Sequence, residues 1–322
     1  MNILVTGGAG FIGSHLVRRL LREGHDVCVI DNLSTGKKKN LADVFSQIKF
    51  IEGDLRDERA TREAVQGREI VFHEAALPSV PRSVKDPKTS VDNNVMGTVE
   101  LLKQSVDAGV RRFIYAGSSS AYGNCASATK AETLVPRVLS PYAASKLAGE
   151  GLVQSFGHCY GLETVVTRYF NVFGERQDAS SQYSGVIAKF CTLMLAGQAP
   201  TIFGDGNHAR DFTYIDNVVE GNMRVAMSDA RGVAGEVFNI ACGGSVSLNE
   251  LVDGINQVLG TAILPTYAAP RTGDIKHSQA DIDKARAAVG YIPVVGFLEG
   301  LSRTMAWYRQ QMAEQSLLLN SA

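Results

Sequence analysis

Along the first half of the chain, short runs that are apolar at nearly every position alternate with stretches whose apolar residues recur every three or four positions. The runs Asn2 to Thr6, Asp26 to Asp31, Lys49 to Glu52, Glu69 to His73, Arg112 to Ala116 and Thr164 to Tyr169 are rich in strand-forming residues. Segments that bury both faces suit a parallel sheet covered by helices on each side, which predicts a doubly wound α/β fold. Between the first two runs, Phe11, His15, Leu16, Leu20 and Leu21 fall at helical spacing, and Gly24 stands where a helix would stop. Together they predict a βαβ unit of roughly 30 residues. Past Asn171 the alternation gives way to polar loops such as "GERQDASSQYSG" and then to mixed segments. Two domains are therefore expected, over 1–171 and 172–322, the second smaller and mixed α/β, with segments returning to the first. In that half, Ser247 and Glu250 form a capping pair for a helix ending at Gly260. Phe297, Leu301, Met305 and Tyr308 make one stripe of a final helix, expected to be core. No internal repeat or low-complexity tract interrupts the pattern.

Composition narrows the partners. With 322 residues, 45% of them hydrophobic, the chain can bury one large core or two in close contact, which excludes disorder. A net charge of -1 with 20% charged residues argues against nucleic acid and anionic membrane, and favours a small neutral or anionic ligand. Cys28, Cys125, Cys159, Cys191 and Cys242 are scattered, without the close pairs of metal or dithiol sites, so no metal is expected. No basic segment followed by an apolar stretch opens the chain, and no run approaches the ~20 apolar residues of a membrane helix, so a cytoplasmic protein is expected.

The segment "TGGAGFIG" follows the first strand directly. Gly8, Gly10 and Gly13 satisfy G-x-G-x-x-G, and Gly7 extends the pattern. Missing side chains allow a sharp turn and the close approach of a pyrophosphate to a helix N-terminus, whose unpaired N–H groups favour anions. Asp31 follows Gly13 by 18 residues, at the end of the second strand, where a carboxylate can accept from both ribose hydroxyls. It would repel a 2′-phosphate, which favours NAD over NADP. The run Lys37, Lys38, Lys39 could offset that repulsion but reads as a solvated loop.

"SPYAASK" puts Tyr142 and Lys146 one helical turn apart. A free tyrosine, with pKa ~10, is a poor base at neutral pH, but a neighbouring ammonium favours its phenolate. Ser118, Ser119 and Ser120 follow a predicted strand, at the end where parallel sheets present ligand-binding groups.

With these residues in place the chain resembles the extended short-chain dehydrogenase/reductase family, and within it the NAD-dependent nucleotide-sugar epimerases and dehydratases. The resemblance runs through "TGGAGFIG", "DNLSTG", "GDLRD", "HEAA", "DNNVMGT", "SSSAYG", "YAASK", "RYFNVFG", "FGDGNHARDFTYIDN" and "RTGD", in the family's order. It implies a Rossmann-type domain in which Gly7, Gly10, Phe11, Ile12, Gly13, Asp31 and Asn32 hold NAD. Asp54 and Leu55 would lie at the adenine, Ala75, Ala76 and Asn94 along the cofactor channel, and Tyr169 and Phe170 beside the nicotinamide. On the substrate side it implies Asn171 at the diphosphate or sugar, Arg210 and Arg271 as diphosphate-binding arginines, and Asp274 at the uridine ribose. A guanidinium fork suits a diphosphate. It also implies a homodimer packed through helices near Val91 to Ala108 and Tyr142 to Phe156.

Aligning "RRFIY" and Tyr122 without a gap puts the family's catalytic hydroxyl at Ser118, with Ser119 and Ser120 lining the sugar pocket. Sugar 4,6-dehydratases of the family resemble Asp-Glu at those two positions, and its decarboxylases carry glutamate at the second. Here both are serine, so the extra acid/base chemistry is missing and C4 epimerisation remains. In the family's mechanism Tyr142 is the base, Ser118 assists it and Lys146 holds the nicotinamide ribose. Related epimerases restricted to UDP-glucose and UDP-galactose carry a tyrosine where this chain has Ser278, so the expected substrate pair is UDP-N-acetylglucosamine and UDP-N-acetylgalactosamine. UDP-glucose/UDP-galactose and a UDP-uronic acid, with Arg82 meeting its carboxylate, stand as alternatives. A dehydrogenase releasing its redox product and a silent NAD-sensing module are the rival classes; the second would require loss of the base. His73 reads as a packed histidine, whereas His208 and His277 are candidates to touch the nucleotide. Ala179 and Ala188 stand where related epimerases often have proline.

Overall fold

Each of the apolar runs becomes a strand of one sheet in the computed structural model, which describes residues 1–179, 185–270 and 277–320. The strands are β1 (Asn2–Thr6), β2 (Asp26–Asp31), β3 (Lys49–Glu52), β4 (Ile70–His73), β5 (Arg112–Ser118), β6 (Glu163–Tyr169) and β7 (Val237–Ile240). Their order is β7-β6-β5-β4-β1-β2-β3, and every pairing is parallel. The pattern explains the positions: β4 and β7 are buried at all four residues, whereas the edge strand β3 buries only Ile51. The strand order reverses between β1 and β4, which opens a crevice at their carboxyl ends. This is the doubly wound, Rossmann-type sheet that the sequence predicts. Strand β7 was not foreseen: "VFNI" is four residues long and lies far from the regular alternation. Strand β5 runs two residues beyond the expected Ala116, because Gly117 and Ser118 continue the ladder opposite Arg168 and Tyr169.

The helix Phe11–Arg22 joins β1 to β2 and ends in Arg19 and Arg22, cations at the negative end of its dipole. The helix Pro141–Tyr160 starts cleanly: Ser140 Oγ accepts from Ala143 N at 3.1 Å and Pro141 fills the first turn. It lies against β5 and β6, joined to the latter by a buried ion pair in which Arg168 Nε donates to Glu150 Oε2 at 3.0 Å.

In the second half, Ser247 and Glu250 exchange both bonds of a capping box, at 3.1 and 2.7 Å, and Gly260 takes the left-handed conformation after Leu259. On the helix Phe297–Asn320, Leu301, Met305 and Tyr308 are buried and Phe297 packs against the same cluster. That cluster runs without a break from Ile3, Val5 and Val29 to Met194, Leu251 and Met305. A small mixed sheet orders Val246–Ser247, Ala209–Arg210, His277–Ala280 and Thr129–Lys130, so one of its strands comes from the first half. Among the described residues, no helix is long and apolar enough to cross a membrane.

Candidate active site

The crevice is a cavity of about 940 Å³. Gly7, Gly10, Phe11, Ile12 and Gly13 line its floor, where the first helix begins. Gly7 has φ +66°, and a Cβ there would stand 2.8 Å from Ala75 Cα; a Cβ on Gly13 would stand 2.4 Å from Gly7 O. A side chain at either position would collide with neighbouring backbone, so glycine is what lets the turn close this tightly at the cavity. At the end of β2, Asp31 is 7% exposed and accepts from Ala9 N at 3.0 Å and Leu33 N at 2.8 Å. Burial pushes its carboxyl above the usual range, and these two N–H groups pull it back. Asp54 behaves oppositely. The Arg56 guanidinium and the Asn32 amide, which donate to it at 2.8 and 2.9 Å, hold it well below that range.

Farther along the cavity, the helix Pro141–Tyr160 presents Tyr142 and Lys146, and β6 presents Tyr169. Lys146 is buried; its Nζ donates to Ala116 O at 2.8 Å and lies 4.9 Å from the Tyr115 ring centroid. Burial pulls its ammonium down to about 8, opposed by the Glu74 carboxylate. The Tyr142 phenol is pushed up by burial, and its hydrogen bond with Ser118 opposes the rise. In the protein alone, then, desolvation outweighs the acidifying influence expected of Lys146. Ser118 in turn accepts from Ser120 N at 3.2 Å and from Ser120 Oγ at 2.8 Å, so the three-serine turn folds onto the hydroxyl nearest the tyrosine.

This arrangement has known counterparts. The profile of the NAD dependent epimerase/dehydratase family matches residues 3–241. The chain belongs to that family. A UDP-glucose 4-epimerase of Mycolicibacterium smegmatis is 38% identical over 315 residues, 97% of this chain and 99% of its own. A solved UDP-glucose 4-epimerase of Thermotoga maritima, with UDP-glucose, superposes with a TM-score of 0.91 at 38% identity, covering 97% of this chain and 100% of that one. A UDP-N-acetylglucosamine 4-epimerase of Methanobrevibacter ruminantium, in complex with UDP-N-acetylmuramic acid, gives 0.91 at 39% identity, covering 96% and 98%. As an NAD dependent epimerase/dehydratase the chain is an enzyme with NAD as its cofactor, and the bare glycine cradle with Asp31 beyond it fits that dinucleotide.

Of the residues singled out for this family's cofactor, Asn32, Asp54, Leu55, Ala75 and Ala76 also line the cavity. Asn94 does not. It sits behind the wall on a π-helical turn, Asp92–Met96, where its Oδ1 accepts from Leu77 N at 2.7 Å and its Nδ2 donates to Leu77 O and Ser145 Oγ. Ser118 hydrogen-bonds Tyr142, but Ser118, Ser119 and Ser120 are not among the cavity-lining residues. Asn171 has φ +33° and donates to Asp211 O at 3.1 Å, also away from the cavity. Arg210 and Ser278 are ladder partners in the small mixed sheet. Arg271 and Asp274 lie outside the described residues. His73 is packed, its ring nitrogens 2.8 Å from Thr6 Oγ1 and Thr98 Oγ1, and burial pulls it down to about 3, a neutral imidazole. His208 is half-buried beside the Gly204 turn.

The cavity also recruits residues not expected there, among them Tyr308, expected only as part of a core stripe, and Lys37, expected in a solvated loop. Glu74 lines it between β4 and Ala75, and Arg176, Gln177, Trp307, Tyr308 and Gln311 close its outer side. Lys37 lines it too, and its Nζ donates to Asp178 at 2.6 Å. No local pattern marks these positions as one site; only the fold brings the loop after β6 and the last helix over the cofactor crevice. Glu74 was visible within "HEAA", as a carboxylate at the end of a buried strand.

Proposed function

We propose that this enzyme interconverts the C4 epimers of a UDP-hexose through a 4-keto intermediate, with UDP-N-acetylglucosamine and UDP-N-acetylgalactosamine as its substrate pair. The observation that carries the reading is the Ser118–Tyr142–Lys146 group, with serines at 119 and 120 where a dehydratase needs an acid and a base. When bound, NAD would supply a reversible acceptor for the hydride at C4 of the sugar. Tyr142 takes the proton of the 4-hydroxyl and gives it back, Ser118 orients that oxygen, and Lys146 keeps a positive charge beside the phenolate. The segment 1–171 holds the cofactor and ends in Asn171, and 172–322 grips the UDP with it through Arg210, Arg271 and Asp274, so that binding energy from the nucleotide retains the ketone while the ring turns over.

Ser278, beside Arg210 in its ladder, supports room for a C2 N-acetyl group. The UDP-glucose/UDP-galactose pair is the second reading, favoured by the named substrate of two of the relatives above. Proton NMR of products from a panel of UDP-sugars, including a UDP-uronic acid, tests the assignment. C4 epimers of the N-acetylated pair, with no net NADH, are expected; a 4-keto-6-deoxy product or stoichiometric NADH would overturn it.

A further inference from the structure

The cavity holds one carboxylate near Tyr142 and Lys146 that the reaction above leaves unused. Glu74 directly follows β4, lines the cavity with Lys146, Tyr142 and Tyr169, and is half-buried. Its Oε1 lies 2.7 Å from Tyr169 Oη, and that hydroxyl lies 2.7 Å from Asn222 Nδ2 and 2.9 Å from Asn222 Oδ1. The chain of bonds has a direction. Asn222 Nδ2 donates to Val218 O at 3.0 Å and to the tyrosine oxygen, which leaves the Tyr169 proton for an ionised Glu74. If Glu74 is protonated the order inverts: it donates to Tyr169, and Tyr169 donates to Asn222 Oδ1.

We infer that Glu74 sets the redox poise of the bound cofactor, its carboxylate favouring the oxidised, cationic nicotinamide over the neutral reduced ring. The inference rests on the reading that Tyr142 and Lys146 mark the nicotinamide end of the cavity. Reduction adds two electrons and one proton to the ring as hydride, and the ring loses its positive charge. A carboxylate nearby therefore gains attraction only in the oxidised state. An epimerase returns to oxidised cofactor in every cycle, and a ketone that escapes leaves the reduced form stranded; a fixed negative charge works against that state.

The ionisable groups packed against Glu74 are Lys146 from the helix, Tyr169 from β6 and His73 from its own strand. His73 stays neutral, Tyr169 is pushed well above its ordinary range by burial, and Lys146 carries the compensating charge. Burial raises the Glu74 carboxyl to about 7, against the opposing pull of Tyr169 and Lys146. The effect on the cofactor should accordingly fade on the acid side.

The test is a mediator-coupled redox titration of the holoenzyme, following the near-ultraviolet absorbance of the reduced ring, at about pH 6 and about pH 8.5. Glu74→Gln keeps the size and hydrogen-bonding reach of the side chain but removes its charge. It is expected to shift the oxidised-to-reduced equilibrium about tenfold toward the reduced form at the higher pH, or about 30 mV for a two-electron couple. At the lower pH the shift should shrink to under about threefold, since wild-type Glu74 is then largely neutral. Glu74→Asp, which keeps the charge, should stay within about threefold of wild type at both. An unchanged potential in Glu74→Gln, a shift of opposite sign, a shift equal at both pH values, or an aspartate variant that follows the glutamine variant would each overturn the inference. A failed reaction caused by a wrong substrate assignment leaves this readout untouched, because it involves no sugar.

Discussion

Tyr142 is buried enough that its phenol sits above the ordinary range in the protein alone, so its proposed use as a base depends on the positive charges brought beside it. Tyr142→Phe is expected to bind NAD and UDP normally and to lose turnover by about 10²–10⁴-fold, checked by isothermal titration alongside product NMR. Near-normal rates would remove Tyr142 from the mechanism. Lys146 provides the pH signature. Its folded pKa, about 8, lies below the ordinary lysine value of 10.5, so the unfolded chain binds more protons between those two values. The stability of the cofactor-free protein should therefore rise with pH across that window, and thermal melts of wild type and Lys146→Met should converge toward its alkaline end. On the ribose side, Asp31→Ala should weaken NAD and relax discrimination against NADP, measured as the ratio of the two dissociation constants; tighter NADP binding by wild type would contradict the carboxylate's role. At the proposed sugar pocket, Ser278→Tyr should cost far more activity on the N-acetylated pair than on UDP-galactose, because overpacking penalises only the larger C2 group. Efficient wild-type turnover of UDP-galactose with none of UDP-N-acetylgalactosamine would refute the pocket argument and leave the epimerase reading intact.

At the scale of elements, the helix Pro141–Tyr160 has to approach β5 closely enough to deliver Lys146 to the strand end. Gly149 makes this possible: a Cβ there would stand 2.1 Å from the Tyr115 hydroxyl, which donates to Lys146 O at 3.3 Å and whose ring underlies the ammonium. Gly149→Ala should lower stability by about 1–3 kcal/mol through overpacking and also reduce kcat, with denaturant unfolding and steady-state rates as the two readouts. A loss of stability without a loss of rate would separate the packing from the site. The elements themselves were legible because each carries its own signal: six strands by apolar runs, the first helix by period and a terminal glycine, the helix Leu248–Leu259 by its capping box. Strand β7 was not, since "VFNI" becomes a strand only through the open edge of β6. The residues proposed for the cofactor that line the cavity were legible for the same local reason, as Gly7, Gly10, Gly13, Asp31, Asp54 and Ala75 stand at or shortly after strand ends in chain order. Asn94 shows the limit. Its motif marks it as important, yet only the fold reveals that its amide braces the Leu77 backbone and does not face the cavity.

For the whole molecule, the segment Val91 to Ala108, through which a second copy is proposed to pack, leaves Val91 at 42% and Met96 at 53% exposure. Light scattering is expected to give the mass of a dimer at micromolar concentration, and a monomer would contradict it. The continuity of the main apolar cluster across both halves means that they share one core, so unfolding should appear as a single transition in melts followed by different probes. The last helix, reaching back over the cofactor crevice, brings Trp307 to the cavity wall. It is the protein's one tryptophan. The chain thus carries its single indole at the wall of the cofactor crevice, and the emission of an indole overlaps the absorption of a reduced nicotinamide but not of an oxidised one. Each turnover that strands the cofactor in its reduced form should dim that emission by energy transfer, giving an optical record of the redox state without any added dye.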